Sequence, residues 1–178
     1  VSDAFSLRNH GCSTDEAVAA WLDIAAAARR AGIPAQVTVS VAFGCPFEGE
    51  LPVQRVVDVV RRIAETEPFE VALADTIGVA VPPQVTELIA RVGEAVPGPA
   101  LRCHFHNTRN TGLANAFAAV QAGVRTLDAS LGGIGGCPFA PAATGNIPTE
   151  DLVYLLHRSG YPTGIDLQAT IAASQWLQ

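Results

Sequence analysis

Val71-Ala72-Leu73-Ala74-Asp75-Thr76 is the stretch of sequence that decides the fold of this chain. Four apolar residues followed by two polar ones predict a buried strand, over 69–74, that ends at the edge of a sheet. A predicted helix over 82–96 comes next. Strands that are buried on both faces and alternate with helices are typical of a parallel sheet covered by helices.

The same unit of strand, polar loop and helix occurs four times along the sequence. The predicted strands are 35–42, 69–74, 101–106 and 125–130. The helices that follow them are 52–65, 82–96, 111–122 and 149–159. A helix that opens with a Ser13/Glu16 capping box and stops at Gly32 precedes the first unit. A short helix over 167–176 follows the last one.

Each polar cluster of the sequence comes directly after a predicted strand, so the clusters share one rim of the sheet. This is the C-terminal rim, where barrel enzymes keep their active sites. A doubly wound open sheet also has loops at this rim, but its dinucleotide-binding fingerprint is missing from the sequence. Four units are half of an eight-stranded barrel. We therefore predict an α/β fold, an incomplete (β/α)8 barrel, with one domain over residues 1–178.

Two histidines and a glycine-rich loop predict a metal site at this rim. His104 and His106 flank Phe105 on a strand, where alternate side chains share a face, so both imidazoles can reach one cation. The loop over 132–146 carries a thiol at Cys137 and an amide at Asn146 that could complete the ligand set. A loop of this length without secondary structure predicts a mobile lid. A His-x-His pair alone is more often structural, and Cys137 alone would be a packed residue.

The composition excludes several classes of function. All 11 basic residues are arginine, so no lysine of this chain can form a Schiff base with a substrate or with pyridoxal phosphate. The net charge of −6 argues against a nucleic-acid partner. No apolar run approaches the roughly 20 residues of a membrane span. Four widely spaced cysteines are typical of reduced thiols, which favours a cytoplasmic protein.

Several motifs, in order along nearly the whole chain, resemble hydroxymethylglutaryl-CoA lyase, a metal-dependent carbon–carbon lyase in the group that contains isopropylmalate synthase. They are Gly44-Cys45-Pro46-Phe47-Glu48-Gly49, Asp75-Thr76-Ile77-Gly78-Val79, His104-Phe105-His106-Asn107-Thr108, Gly135-Gly136-Cys137-Pro138-Phe139-Ala140, Thr144-Gly145-Asn146 and Thr149-Glu150-Asp151-Leu152-Val153-Tyr154. The resemblance implies the C-terminal part of the lyase barrel, from the end of its fourth strand, at Val1 to Phe5, through the eighth strand. It also implies an acyl-CoA substrate and a role in leucine degradation.

The resemblance also implies roles for individual residues. His104, His106 and Asn146 would bind Mg²⁺ or Mn²⁺, and Asp75 would stand close to the reacting hydroxyl. Cys137 would be the thiol of a mobile loop that moves a proton, so the predicted catalytic residues are Cys137, Asp75 and His104. The family's remaining acidic ligand, from the first strand of the barrel, has no counterpart in this chain.

Three alternatives stay open at the sequence level. Asp75 could simply initiate a loop and cap its backbone amides. A condensing synthase of the isopropylmalate or homocitrate type is a second function, although those enzymes do not share the cysteine loop. A half-barrel that only associates with other chains is a third, because the two open sheet edges are pairing templates that favour a homodimer. Thr38 and Phe139 replace tyrosines of the best-known lyases, and Asn107 replaces an aspartate, which favours a different acyl group.

Overall fold

A four-stranded parallel sheet forms the centre of the computed structural model, which describes residues 1–136 and 145–177. The strands are β1 Gln36–Val39, β2 Glu70–Asp75, β3 Ala100–Phe105 and β4 Thr126–Asp128. Their order in the sheet is β1-β2-β3-β4, and every neighbouring pair is parallel. A doubly wound sheet reverses its strand order at a switch point, whereas a barrel adds strands in sequence. The topology is therefore that of a partial barrel.

Helices connect the strands and cover one face of the sheet. Their bounds are α1 Asp3–His10, α2 Thr14–Ala31, α3 Val53–Ala64, α4 Pro82–Ala95, α5 Gly112–Gln121, α6 Thr149–Arg158 and α7 Leu167–Leu177. Each helix packs against the next one along the chain. No helix in the described part of the chain is both long and apolar enough to cross a membrane.

The two faces of the sheet have different chemistry. Leu73 and Cys103 are paired in register, both are fully buried, and both lie in the apolar core with Phe105 and the helices. Because side chains alternate along a strand, the residues directly before and after Leu73 and Cys103 point to the opposite face of the sheet. That face carries Arg102 and His104 of β3, with Asp128 of β4 in register with His104.

The first long helix begins and ends where the sequence predicts. The Ser13 hydroxyl accepts a hydrogen bond from the Glu16 amide at 3.2 Å, and the Glu16 carboxylate accepts one from the Ser13 amide at 2.8 Å. Gly32 ends α2 in the left-handed region, with φ of 69°. The capping box and the glycine stop are therefore confirmed.

The N-terminal residues do not form the strand end that the resemblance implied. Ser2 caps α1 instead, its hydroxyl accepting a hydrogen bond from the Phe5 amide at 3.1 Å, and Gly11 ends the helix. Three local signals favour a helix here: a serine cap, an acidic first turn at Asp3 and a glycine stop. They determine the structure of this segment, and the implied strand of the lyase barrel does not form. The prediction for residues 1–5 was wrong.

Two strands are shorter than predicted. β1 ends at Val39 rather than at residue 42, because the backbone turns into the left-handed region at Val41, with φ of 52°. The hydroxyl of Thr76 accepts a hydrogen bond from the Val41 amide at 2.9 Å and holds this turn. β4 covers three residues, Thr126–Asp128, of the predicted six.

Candidate metal centre

The two histidines lie together at the carboxyl end of β3. His104 is within the strand and His106 follows it directly, and their ring centroids are 5.2 Å apart. The chain returns to this point after the glycine-rich loop, where Asn146 forms an antiparallel bridge with His106. The flanking bonds run from the Asn107 amide to the Gly145 carbonyl, at 2.9 Å, and from Ile147 to Phe105, at 3.3 Å. His104, His106 and Asn146 are therefore brought together.

Two buried polar atoms at this point have no partner among the described residues. They are Nδ1 of His106 and Oδ1 of Asn146. The amide nitrogen of Asn146 donates to the Ile134 carbonyl at 2.9 Å, which leaves the amide oxygen as the free group. Burial, and then the nearby His104, lower the pKa of His106. A neutral imidazole and an unpaired amide oxygen are both groups that fit a divalent cation.

A chain of charged side chains supports His104 from the neighbouring strand. Nδ1 of His104 lies 3.3 Å from one oxygen of Asp128, and Nη1 of Arg102 lies 3.4 Å from the other. Nε of Arg102 lies 3.3 Å from the carboxylate of Glu70 on β2. The hydrogen bond with His104 lowers the pKa of Asp128, against the effect of burial and with help from Arg102.

Sequence reasoning missed Asp128, although one signal was present. It stands at the end of β4, at the rim where polar residues cluster. Its partner His104 is 24 positions away, so only the register of two strands could join them.

In the described part of the chain, the Asp75 side chain does not lie beside the two histidines. It is paired in register with Phe105, so it lies on the helix-facing side, and its side chain is fully buried. Its two oxygens accept hydrogen bonds from the amides of Val79 and Ala80, at 2.9 and 3.0 Å. Burial raises its pKa, although these hydrogen bonds and Arg109 act in the opposite direction. This matches the loop-capping alternative, and a position beside the reacting hydroxyl is not supported.

The described ends of the glycine-rich loop are tightly held. Residues Leu131–Gly133 form a short 3-10 turn, and the Gly132 amide donates to the Glu150 carboxylate at 3.1 Å. A Cβ on Gly145 would collide with the Gly133 carbonyl oxygen and lie 2.9 Å from that of Gly135. Cys137 and Phe139 lie outside the described residues, and so does most of the predicted lid.

The two described departures from the lyase pattern have different surroundings. The side-chain oxygen of Asn107 accepts a hydrogen bond from the Gly112 amide at 3.1 Å, so it holds the start of α5. Thr38 is exposed on β1 and is paired in register with Ala72, which in turn pairs with Arg102. Thr38 therefore lies on the same face of the sheet as His104.

Within residues 1–136 and 145–177, no cluster of three or more His, Cys, Asp and Glu side chains could hold a metal. The candidate set therefore depends on the amide of Asn146 as well as on His104 and His106. These three side chains form a partial coordination shell.

The sequential parallel sheet and the polar groups at its carboxyl edge define an α/β protein of the barrel type. The model of the HMGL-like family matches residues 1–177, and the chain belongs to this family.

Two named relatives that match nearly the whole of this chain are acyl-CoA lyases. The (R)-citramalyl-CoA lyase of Chloroflexus aurantiacus is 48% identical over 177 residues, which is 99% of this chain and 56% of that protein. The hydroxymethylglutaryl-CoA lyase of Pseudomonas mevalonii is 44% identical over 169 residues, 95% of this chain and 56% of that protein. This chain spans slightly more than half the length of either.

A solved structure of an HMG-CoA lyase from Acinetobacter baumannii, in complex with coenzyme A and 3-methylmalate, is also similar. Its TM-score is 0.93 at 40% identity, over 99% of this chain and 57% of that one. Other relatives are named as cytoplasmic in one case and mitochondrial in another. A cytoplasmic location and a dimer therefore stay predictions for this chain.

Proposed function

We propose that this chain supplies most of the active site of a metal-dependent acyl-CoA lyase. The reaction would cleave the bond between C2 and C3 of a 3-hydroxyacyl-CoA and release acetyl-CoA and an oxo acid. The observation that carries the proposal is the meeting of His104, His106 and the free amide oxygen of Asn146 at the carboxyl edge of a parallel sheet. The named lyases among the relatives support it.

The three side chains would hold one Mg²⁺ or Mn²⁺ ion. A bound divalent cation polarises the substrate hydroxyl and stabilises the negative charge that develops on the oxygens. The choice of Mg²⁺ or Mn²⁺ comes from the family resemblance, since imidazole ligands suit Zn²⁺ equally. The missing acidic ligand must come from outside the described residues.

One proton transfer of this reaction would fall to the loop that carries Cys137. The hydroxyl proton leaves to a base, the C2–C3 bond breaks, and its electrons form the enolate of the acetyl thioester. C2 then takes a proton, which the thiol of Cys137 would supply, since an ordinary thiol with a pKa of about 8.5 is protonated at neutral pH. Asp75 is not used as the base, because its side chain is fully buried on the helix-facing side of the sheet, where it caps loop amides.

Two acyl groups are candidates for the substrate. Hydroxymethylglutaryl-CoA would give acetyl-CoA and acetoacetate, and citramalyl-CoA, which is shorter by one methylene, would give acetyl-CoA and pyruvate. The 48% identity to a citramalyl-CoA lyase favours the second candidate. The loss of a tyrosine hydroxyl at Thr38, on the face of His104, supports an acyl group that differs from hydroxymethylglutaryl.

An assay on the native full-length chain separates these possibilities. Each acyl-CoA is supplied with Mg²⁺, with Mn²⁺ or with a chelator, and acetyl-CoA is measured. His106→Gln should abolish cleavage, and the exposed His157→Gln serves as the control. Acetyl-CoA consumption in the presence of a 2-oxo acid, without cleavage of either substrate, would instead indicate a synthase. No reaction in either direction would support the non-catalytic alternative.

Cys137→Ser tests the proton donor separately from the metal. The substitution should lower turnover by about 10²–10⁴, the usual contribution of a positioned acid, and leave Mn²⁺ affinity nearly unchanged. If Mn²⁺ affinity falls with turnover, Cys137 is a ligand, and if neither changes, the thiol has no part in the reaction.

A further inference from the structure

Four charged or ionisable side chains form a continuous line across three strands, on the face of the sheet that carries the candidate metal centre. Glu70 on β2 contacts Arg102 on β3 at 3.3 Å, and Arg102 contacts Asp128 on β4 at 3.4 Å. Asp128 then contacts His104, back on β3, at 3.3 Å. The Glu70 and Arg102 side chains are only 8% and 17% exposed, so this end of the line is well shielded from water.

Asp128 uses its two carboxylate oxygens for two different partners. Oδ1 faces Nη1 of Arg102, and Oδ2 faces Nδ1 of His104. A carboxylate with a cation on one oxygen is held in place, and the other oxygen can only accept a hydrogen bond. In the neutral imidazole, Nδ1 of His104 must then carry the proton, and Nε2 keeps its lone pair.

We infer that Asp128, anchored by Arg102, is a positioning residue that fixes the tautomer and the ring orientation of His104, so that Nε2 is presented as the metal ligand. The inference rests on the proposed metal site, to which it adds a residue outside the ligand set. A carboxylate behind a ligating imidazole also makes that imidazole a better electron donor.

The two histidines differ in this respect. Nδ1 of His106 is buried and has no partner among the described residues, whereas Nδ1 of His104 has a charged one. His104 is therefore the oriented ligand, and its position depends on β4. A simple ion pair between Arg102 and Asp128 would not require the second oxygen to face the imidazole.

The first experiment measures the tautomer of His104 without any metal. Long-range ¹H–¹⁵N correlation spectra of the native full-length chain, treated with a chelator, are recorded at about pH 8.5, above the ordinary imidazole pKa of about 6.5. The wild-type protein should show His104 with its proton on Nδ1. Asp128→Ala should shift the population toward Nε2–H. Asp58→Asn, which removes an exposed carboxylate that contacts only Arg61 and Gln54 among the described contacts, should change nothing.

The second experiment measures Mn²⁺ affinity by electron paramagnetic resonance, with no substrate present. Asp128→Ala should weaken binding by about 10–100-fold, the usual effect of removing such a partner, and Asp58→Asn should leave it unchanged. Asp128→Asn keeps the size and one acceptor oxygen, so it should fold normally and show a smaller loss. Circular dichroism confirms folding for each variant.

The outcomes separate the inference from the proposed function. If wild-type His104 carries its proton on Nε2, or if neither Asp128 variant changes the tautomer, the positioning role is wrong. Unchanged Mn²⁺ affinity in a folded Asp128→Ala variant would overturn it as well. If the wild-type chain binds no Mn²⁺, the metal site fails, and the tautomer comparison still decides whether Asp128 orients His104.

Discussion

Replacing Arg102 by methionine should destabilise the folded chain strongly, because the arginine neutralises a buried carboxylate. The Glu70 side chain is only 8% exposed, and its carboxylate lies 3.3 Å from Nε of Arg102. At an effective dielectric constant of about 20, two unit charges 3.3 Å apart attract each other by about 5 kcal/mol, part of which offsets the desolvation of both groups. We expect Arg102→Met to lower the free energy of unfolding by about 3–5 kcal/mol, since it leaves Glu70 charged, buried and unpaired.

A double-mutant cycle isolates this pair. Urea unfolding is measured for wild type, Arg102→Met, Glu70→Gln and the double variant, and a coupling of about 2 kcal/mol is expected. Arg61 and Asp58 on α3 provide the control, since they are also 3.3 Å apart but are 52% and 59% exposed. Their coupling should be only about 0.3–0.5 kcal/mol. Equal coupling in the two cycles would refute the argument from burial.

Two further substitutions test the loops around the site. Gly145→Ala should destabilise the chain by about 1–3 kcal/mol and weaken Mn²⁺ binding, because the new methyl would meet the Gly133 carbonyl, whereas Gly98→Ala, also at positive φ but in open space, should spare Mn²⁺ binding. Burial raises the pKa of Asp75 above its ordinary value of 3.8, so its contribution to stability is full below that pH and declines as pH rises through the raised pKa. Asp75→Asn should therefore lower the free energy of unfolding more at about pH 4 than at pH 7, as measured by urea unfolding, and the reverse order would contradict the buried, loop-capping role.

The sequence by itself determined the class of fold and the order of helices and strands from α2 onward. The capping box at Ser13, the glycine stop at Gly32 and the apolar run of β2 act through contacts between residues a few positions apart, so they can be read directly from the chain. The pairing of His104 with His106 also followed, because the two-residue repeat of a strand is a local property. Helix α1 was not predicted, because the resemblance to the lyase family was given more weight than the helix-capping residue Ser2.

The surroundings of these residues depended on the tertiary structure. Asp128 faces His104, and Glu70 faces Arg102, because neighbouring strands pair in one particular register across 24 and 32 positions of sequence. A shift of one residue in either pairing would turn each side chain to the other face of the sheet. Asp75 stands at the end of β2 as the sequence predicted, yet the register puts its carboxylate on the helix side, where it caps the loop. The position of a polar residue along a strand is local, whereas the face and the partner that it meets are set by strand pairing.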